Sequence, residues 1–206
     1  MKDPASITLQ YVIQTANSFL NKYHPTLSIP VPIENIVELN LNIRIVLIRD
    51  LVRNFGINAF ISRAFDTIVI DDAMYSRQPD RIRFTITEEI GHLFLHKEWY
   101  KENGPKSFED YLKWQEKIDN IIYSYIERQA KTFAGLVLMP KSCVNREWTE
   151  FARNNNLSIP CSVYNLPDTF PDVAQKFEVS AESILVRLSA LKLVTVPDGF
   201  WKKTKR

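Results

Sequence analysis

The chain's 206 residues are enough to bury one sizeable core, or one domain with a small appendage. Its composition, with 45% hydrophobic and 24% charged residues, excludes a disordered or fibrous protein. The formal net charge of +2 is too small to indicate a nucleic acid or an anionic membrane as the main partner.

The N-terminal third of the chain predicts a helix followed by a small sheet. Residues 7–23 have apolar side chains at a helical period, which favours an amphipathic helix. A proline-punctuated segment precedes a short helix near residues 33–39. The β-branched runs LNIRIVLIRD, INAFISRA and DTIVIDD then follow, separated by polar or glycine-containing turns. These runs predict a small antiparallel sheet of about three strands.

The rest of the chain predicts helices. Ser76 and Pro79 signal the start of a helix that we expect from about residue 80 to 97. A second helical pattern covers residues 108–138, with one interruption, and Pro140 ends it. The segment DVAQKFEVSAESILVRLSALKLV favours two short helices joined by a turn. We therefore predict an α+β fold in two domains, residues 1–140 and a helical C-terminal subdomain, 141–206, which ends in the basic tail KKTKR.

Cysteine content and hydropathy predict a cytoplasmic protein. The chain has two cysteines, Cys143 and Cys161, and no Cys-x-x-Cys spacing, which disfavours a disulfide framework or a structural zinc knuckle. The N-terminal sequence MKDPASITLQYVIQ has polar residues scattered through it, unlike a signal peptide. The longest apolar run, FAGLVLMP, is far shorter than a membrane-spanning helix, so we expect no membrane partner.

One helix has an unusual polar stripe. The stretch RFTITEEIGHLFLH, residues 83–96, is apolar on two flanks, with a narrow line of polar side chains between them: Thr85, Glu88, Glu89, His92 and His96. A helix that is apolar on both flanks is mostly buried, and buried carboxylates and imidazoles need partners. Glu88, His92 and His96 are spaced four residues apart, so their side chains could converge on one ion. Glu89 lies beside them, where the general base of a metal-hydrolase helix lies.

The stripe also has simpler interpretations. Thr85 and Glu88 have the spacing of a capping box, although Ser76 and Pro79 mark an earlier helix start. His92 could be a core histidine that hydrogen-bonds to its neighbours. His96 could lie at a frayed helix end. The spacing alone does not decide between a metal site and an ordinary buried helix.

A second segment, YIERQAKTFAGLVLMP, could bring a further carboxylate to the stripe. Glu127 lies next to a strip formed by Tyr123, Ala130 and Ala134, and small residues allow another helix to approach closely. The alternative is an exposed Glu127–Lys131 pair at i,i+4 spacing, which contributes at most roughly 0.5 kcal/mol. Spacing favours neither interpretation over the other.

Together, RFTITEEIGHLFLH and IERQAKTFAGLVLMP resemble the ImmA/IrrE family of zinc-dependent endopeptidases. That family carries the patterns R-F-T-x-A-H-E-x-G-H-x-x-x-H and E-x-x-A-x-x-F-A-x-x-L-L-M-P. The first pattern matches at Arg83, Phe84, Thr85, Glu89, Gly91, His92 and His96, and the second at Glu127, Ala130, Phe133, Ala134, Leu138, Met139 and Pro140. The resemblance spans most of the chain. It implies a zincin-like domain with two metal-site helices and a C-terminal subdomain resembling a helix-turn-helix.

The resemblance also implies roles for individual residues. His92 and Glu127 correspond to metal ligands and Glu89 to the general base, while Glu88 stands where the family has its first histidine. A carboxylate is a competent zinc ligand, but two glutamates leave the ion less positive and favour harder ions such as manganese or magnesium. We expect zinc, with manganese as an alternative. His96 is a reserve ligand, and loss of the metal is a third possibility.

By resemblance, the activity is metal-dependent cleavage of a helix-turn-helix repressor of a mobile element or a stress response. Glu89 would act as general base toward the attacking water, and Tyr123 is one candidate to stabilise the oxyanion. The alternative is a metal-free pseudo-peptidase that binds such a repressor, as an anti-repressor or a toxin–antitoxin partner. Direct DNA binding is not favoured, because Arg187 is the only basic residue within the last predicted helix.

Overall fold

The computed structural model describes residues 4–203, and its fold is α+β, as predicted. The chain forms two compact units, Met1–Leu138 and Met139–Arg206. Residues 204–206, the end of the predicted basic tail, lie outside the described part of the chain. Within residues 4–203, every helix is too short or too polar to cross a membrane.

The first unit combines helices with one small sheet. Its helices are α1 (Leu9–Tyr23), α2 (Ile33–Asn35, continued by a π-helical turn, Ile36–Asn40), α3 (Leu51–Phe55), α4 (Asp72–Arg77), α5 (Pro79–Asn103), α6 (Phe108–Lys117) and α7 (Asn120–Leu138). Its strands are β1 (Arg44–Ile48), β2 (Ala59–Ile61) and β3 (Thr67–Asp71). The predicted interruption of the long helical segment is confirmed: Ile118 is extended, and the Asp119 carboxylate accepts hydrogen bonds from the first turn of α7.

The sheet is mixed rather than antiparallel. Its strand order is β1-β3-β2, with β3 antiparallel to β2 but parallel to β1. The prediction of a wholly antiparallel sheet is therefore wrong for one pair. The reason is connectivity: the chain passes through α3 and β2 between β1 and β3, so no hairpin joins those two strands. The middle strand β3 is buried along most of its length, as a central strand should be.

Helix α5 extends six residues beyond its predicted end near residue 97. Trp99 and Tyr100 continue its buried surface, so the helix stays packed in the core for another turn. The chain then leaves the helix at Gly104, where a side chain would collide with Tyr100, since a Cβ there would lie 2.6 Å from the ring. His96 therefore lies well inside the helix and not at a frayed end.

Helices α5 and α7 pack unusually closely. A Cβ added to Gly91 would lie 3.2 Å from the Cα of Ala130 and 3.3 Å from the ring of Phe133. The absence of a side chain at Gly91 and the small one at Ala130 thus allow the two backbones to approach. The predicted close approach of the Glu127 segment to the striped helix is confirmed.

The second unit is built mainly from helices. They are α8 (Lys141–Asn154), α9 (Pro171–Gln175), α10 (Ala181–Ala190) and α11 (Phe200–Lys203), with a short parallel pair of strands, β4 (Cys161–Ser162) and β5 (Val194–Thr195). The two predicted short helices are α9 and α10, and the Ser180 hydroxyl caps the second of them. Arg187 of α10 donates a hydrogen bond from Nε to the carbonyl of Met139, so this basic side chain stabilises the second unit.

Candidate metal centre

The polar stripe of α5 is buried. Glu89, His92 and His96 are 8%, 2% and 2% exposed, and the Glu88 side chain is 14% exposed. The capping-box interpretation of Glu88 is wrong, because α5 begins at Pro79 and Glu88 lies in the helix interior. Glu88 instead makes its ionic contacts across the helix pair, with α7.

Two of the predicted ligands face each other. Nε2 of His92 lies 3.6 Å from Oε1 of Glu127, across the close contact between α5 and α7. Tyr100 packs against the His92 ring, with a centroid distance of 5.1 Å, and limits its movement. The helix pair thus holds an imidazole nitrogen and a carboxylate oxygen in fixed opposition.

Lys131 lies within reach of two carboxylates, those of Glu88 and Glu127. Its Nζ lies 3.5 Å from Oε1 of Glu88 and 3.4 Å from Oε2 of Glu127. The i,i+4 pair of Glu127 and Lys131 is therefore present, but it is not a simple surface pair, because Glu88 of the other helix shares the same ammonium. The Lys131 side chain is 57% exposed, so it reaches the carboxylates from the solvent side.

His96 makes contacts through both of its ring nitrogens. Nδ1 lies 3.1 Å from Nδ1 of His92, and Nε2 lies 2.9 Å from Oε1 of Gln129. Gln129 in turn donates from Nε2 to the carbonyls of Pro4 and Ile7. Neither nitrogen of His96 points toward Glu127 in this arrangement. Gln129 could not be identified from the sequence, because a glutamine within a helix gives no pattern that marks it as buried.

Burial dominates the electrostatics of the site. It raises the pKa of Glu88 to about 7, although the nearby Lys131 ammonium opposes the shift. Burial also raises the pKa of Glu89 well above its usual range, with the Glu88 and Glu127 charges adding to the effect. For His92 and His96, burial lowers the pKa to about 3, so both imidazoles are neutral at neutral pH.

The chemistry of the donor set fits a divalent cation. Two ligands 2.0–2.2 Å from one tetrahedral ion lie roughly 3.3–3.6 Å apart, and the His92–Glu127 distance of 3.6 Å falls at the edge of that range. Glu88 and Glu127 already share one positive charge, that of Lys131. Among residues 4–203, no three His, Cys, Asp or Glu side chains are arranged as a ready metal site.

Glu88→Gln is expected to stabilise the metal-free protein at pH 8 but not at pH 4.5. The folded-state pKa of Glu88, about 7, lies above the ordinary value of 4.5. The folded protein therefore retains a proton that the unfolded chain releases, and stability falls as the pH rises from 4.5 through 7. The pKa shift corresponds to about 3 kcal/mol of unfolding free energy lost at high pH. The variant has no carboxylate at position 88, so at pH 8 it should be more stable than wild type by about this amount.

Urea unfolding with a chelator present, at both pH values, measures this difference. Glu98→Gln is the matched control, since it makes the same substitution at an exposed position on the same helix. An equal change in unfolding free energy for Glu88→Gln at both pH values would contradict the expected burial of this carboxylate.

Comparison with known proteins identifies a family and a similar fold. A model of the IrrE N-terminal-like domain, peptidase family M78, matches residues 59–189, which include both site helices. Among solved structures, a Mycobacterium tuberculosis transcriptional regulator is similar in fold, with a TM-score of 0.53 and 13% sequence identity. The similarity covers 91% of this chain but 49% of that protein, so the chain spans about half its length. No curated protein matches the chain.

The family match covers most of the chain. It begins at strand β2, continues through α5 and α7, and extends into the second unit as far as residue 189. The matched segment is well over half of the 206 residues. The chain belongs to peptidase family M78, whose members share the IrrE N-terminal-like domain.

Proposed function

We propose that this chain is a metal-dependent endopeptidase. In this proposal His92, Glu127 and Glu88 hold the ion, and Glu89 is the general base. The observation that carries the proposal is the opposition of His92 Nε2 and Glu127 Oε1 at 3.6 Å, next to a buried glutamate. Zinc is the expected ion, with manganese as the alternative that a second carboxylate ligand would favour.

The chain's own residues would supply the proton transfers. When bound, the ion polarises the scissile carbonyl and makes water more acidic. Burial, and then the charges of Glu88 and Glu127, raise the pKa of Glu89, so its carboxylate is a stronger base than an exposed one. It would accept the proton of the attacking water and pass it to the leaving amine.

Tyr123 is the tyrosine best placed to assist. Three tyrosines interact electrostatically with Glu89 and Glu127, namely Tyr100, Tyr111 and Tyr123. Tyr100 and Tyr111 are buried, whereas Tyr123 is partly exposed and can meet a substrate. Burial, and then the charge of Glu127, raises the pKa of Tyr123, so its phenol stays protonated and can donate a hydrogen bond to an oxyanion.

The proposed substrate is a helix-turn-helix repressor, cleaved in the cytoplasm. One supporting observation is that a protein named as a transcriptional regulator shares the fold. A second is that both cysteines of the chain, Cys143 and Cys161, have buried thiols, which suits a reducing compartment. That the repressor controls genes of a mobile element or of a stress response is part of the same proposal.

A second candidate function is a metal-free protein that binds a repressor without cleaving it. The observation that favours it is the position of Lys131. Its ammonium lies between Glu88 and Glu127, so the two carboxylates have a counter-ion that the chain itself provides. Such a protein could keep the family's fold without any bound ion.

Metal binding separates the two candidates. We expect the chelator-treated protein to bind one zinc ion per chain in a calorimetric titration, with elemental analysis confirming the ratio. His92→Ala and Glu127→Gln should each abolish stoichiometric binding, because each removes one of the two opposed donors. His24→Gln changes the one histidine outside the site and is the control. If wild-type protein binds neither zinc nor manganese, the endopeptidase proposal is wrong and the second candidate stands.

A further inference from the structure

We propose that Gln129 and His96 form a positioning relay that places the proton of His92 on Nδ1 and leaves Nε2 bare toward Glu127. The relay begins at the backbone carbonyls of Pro4 and Ile7. Its consequence for metal binding rests on the proposed function, but the position of the protons does not. Gln129 and His96 are positioning residues, since both act through His92.

The first step fixes the orientation of the Gln129 amide. Its Nε2 lies 2.8 Å from the Pro4 carbonyl and 3.1 Å from the Ile7 carbonyl, and both of these groups can only accept. The reversed amide would set its oxygen against two carbonyl oxygens. Because that arrangement is repulsive, the amide nitrogen must face the two carbonyls, and Oε1 must face His96.

The second step fixes the proton of His96. Its Nε2 lies 2.9 Å from Oε1 of Gln129, which is an acceptor, so Nε2 must carry the hydrogen. A neutral imidazole has one N–H, so Nδ1 of His96 is bare. This nitrogen points at His92 and can only accept a hydrogen bond there.

The third step fixes the proton of His92. The two Nδ1 atoms lie 3.1 Å apart, a hydrogen-bond distance at which two N–H groups would repel each other and two bare nitrogens would leave the contact unsatisfied. Nδ1 of His92 is therefore the donor, and Nε2 is bare. Both imidazoles are 2% exposed, and the two hydrogen-bond partners of His96 are uncharged groups, so a second proton on this ring would be a buried charge without a counter-ion.

The relay explains why the site favours a cation. Nε2 of His92 and Oε1 of Glu127 face each other at 3.6 Å, and the proton that could have joined them is held on the far side of the ring. A positive ion between these two lone-pair donors would satisfy both. The relay also argues against the reserve role for His96, because both of its nitrogens are already engaged.

Nitrogen-15 NMR of the metal-free wild type tests the proton positions directly. The chemical shift of a ring nitrogen distinguishes N–H from a bare nitrogen, and the chain has three histidines. His24 is the internal reference: its Nε2 lies 2.7 Å from the Ser28 carbonyl and must carry the proton. We expect His96 to match His24, and His92 alone to show the proton on Nδ1. A proton on Nε2 of metal-free His92 would overturn the proposal.

Gln129→Met tests the relay itself, since methionine has a similar volume but no hydrogen-bonding amide. We expect both histidines to shift toward a mixture of tautomers, and zinc affinity to fall about 10–100-fold, as for other substitutions around metal ligands. Gln14→Met, at an exposed position on α1, is the control and should change neither quantity. Unchanged tautomers in a folded Gln129→Met protein would refute the relay.

His96→Ala provides a second variant that leaves Gln129 held by its two carbonyls. It removes the acceptor for Nδ1 of His92, so His92 should lose its preference for the tautomer with the proton on Nδ1. The fold of the N-terminal segment should be retained. A His92 that keeps its proton on Nδ1 in this variant would contradict the proposal. Wild-type protein that binds no zinc but shows the expected tautomers would support the relay and refute only the endopeptidase function.

Discussion

Glu88→His is expected to raise the affinity for zinc by about a hundredfold, the upper end of the changes produced by substitutions around a bound zinc. Histidine restores the imidazole pair, separated by four residues on α5, that the family's motif carries. A neutral imidazole is a preferred zinc donor and leaves the ion its full positive charge. It also cannot form an ion pair with Lys131, so the ammonium loses one of its two carboxylate partners.

Calorimetric zinc titrations of wild type and variant measure this change, and Glu88→Gln is the matched control. The glutamine also releases Lys131 but adds no imidazole, so it separates the loss of the ion pair from the gain of a ligand. We expect Glu88→Gln to bind zinc more weakly than Glu88→His. Equal dissociation constants for Glu88→His and wild type would mean that position 88 does not contact the metal.

Glu89→Gln is expected to abolish cleavage while leaving the fold and metal content unchanged. Glutamine has nearly the same shape but cannot accept a proton, and removal of a general base typically costs about 10²–10⁴-fold in rate. Glu89 is also buried among other carboxylates, so replacing it with a neutral amide should not destabilise the protein. The effect should therefore appear in catalysis alone.

Comparing protein N-termini in cells that express either form tests this prediction, because every cleaved protein in the cell is sampled at once. Wild-type protein should generate new N-termini that Glu89→Gln does not, and these identify the cleaved protein and the bond. Glu98→Gln, on the exposed side of α5, should behave as wild type. Identical sets of new termini from wild type and Glu89→Gln would show that this carboxylate is not the base.

The sequence predicted the two site helices because their patterns are local. The buried stripe of α5 was predicted from apolar residues on both flanks, and the close approach of α7 from the small residues Ala130 and Ala134. The direction of strand β1 did not follow, because two elements, α3 and β2, separate it from its partner β3 along the chain. The extension of α5 to Asn103 depended on Trp99 and Tyr100 finding a buried environment, which periodicity alone does not establish.

Two features of the site could not be predicted from the sequence. Lys131 is spaced as an ordinary surface partner for Glu127, and only the position of α5 shows that Glu88 shares its charge. The role of Gln129 depends on the carbonyls of Pro4 and Ile7, which are 125 and 122 positions away in the chain. Hydrogen bonds to a distant backbone leave no mark in residue type or spacing.

The helix contact at Gly91 also sets the distance between the two opposed donor atoms of the site. Gly91 lies one residue before His92, and its missing side chain determines how far apart α5 and α7 stand. A single methyl group there would push against the Ala130 backbone, and the opposed donors, already at 3.6 Å, would be carried further apart. The spacing of the two donors is thus governed by a residue with no chemistry of its own, and a change as small as one carbon atom at the helix contact would alter which ions the site could accept.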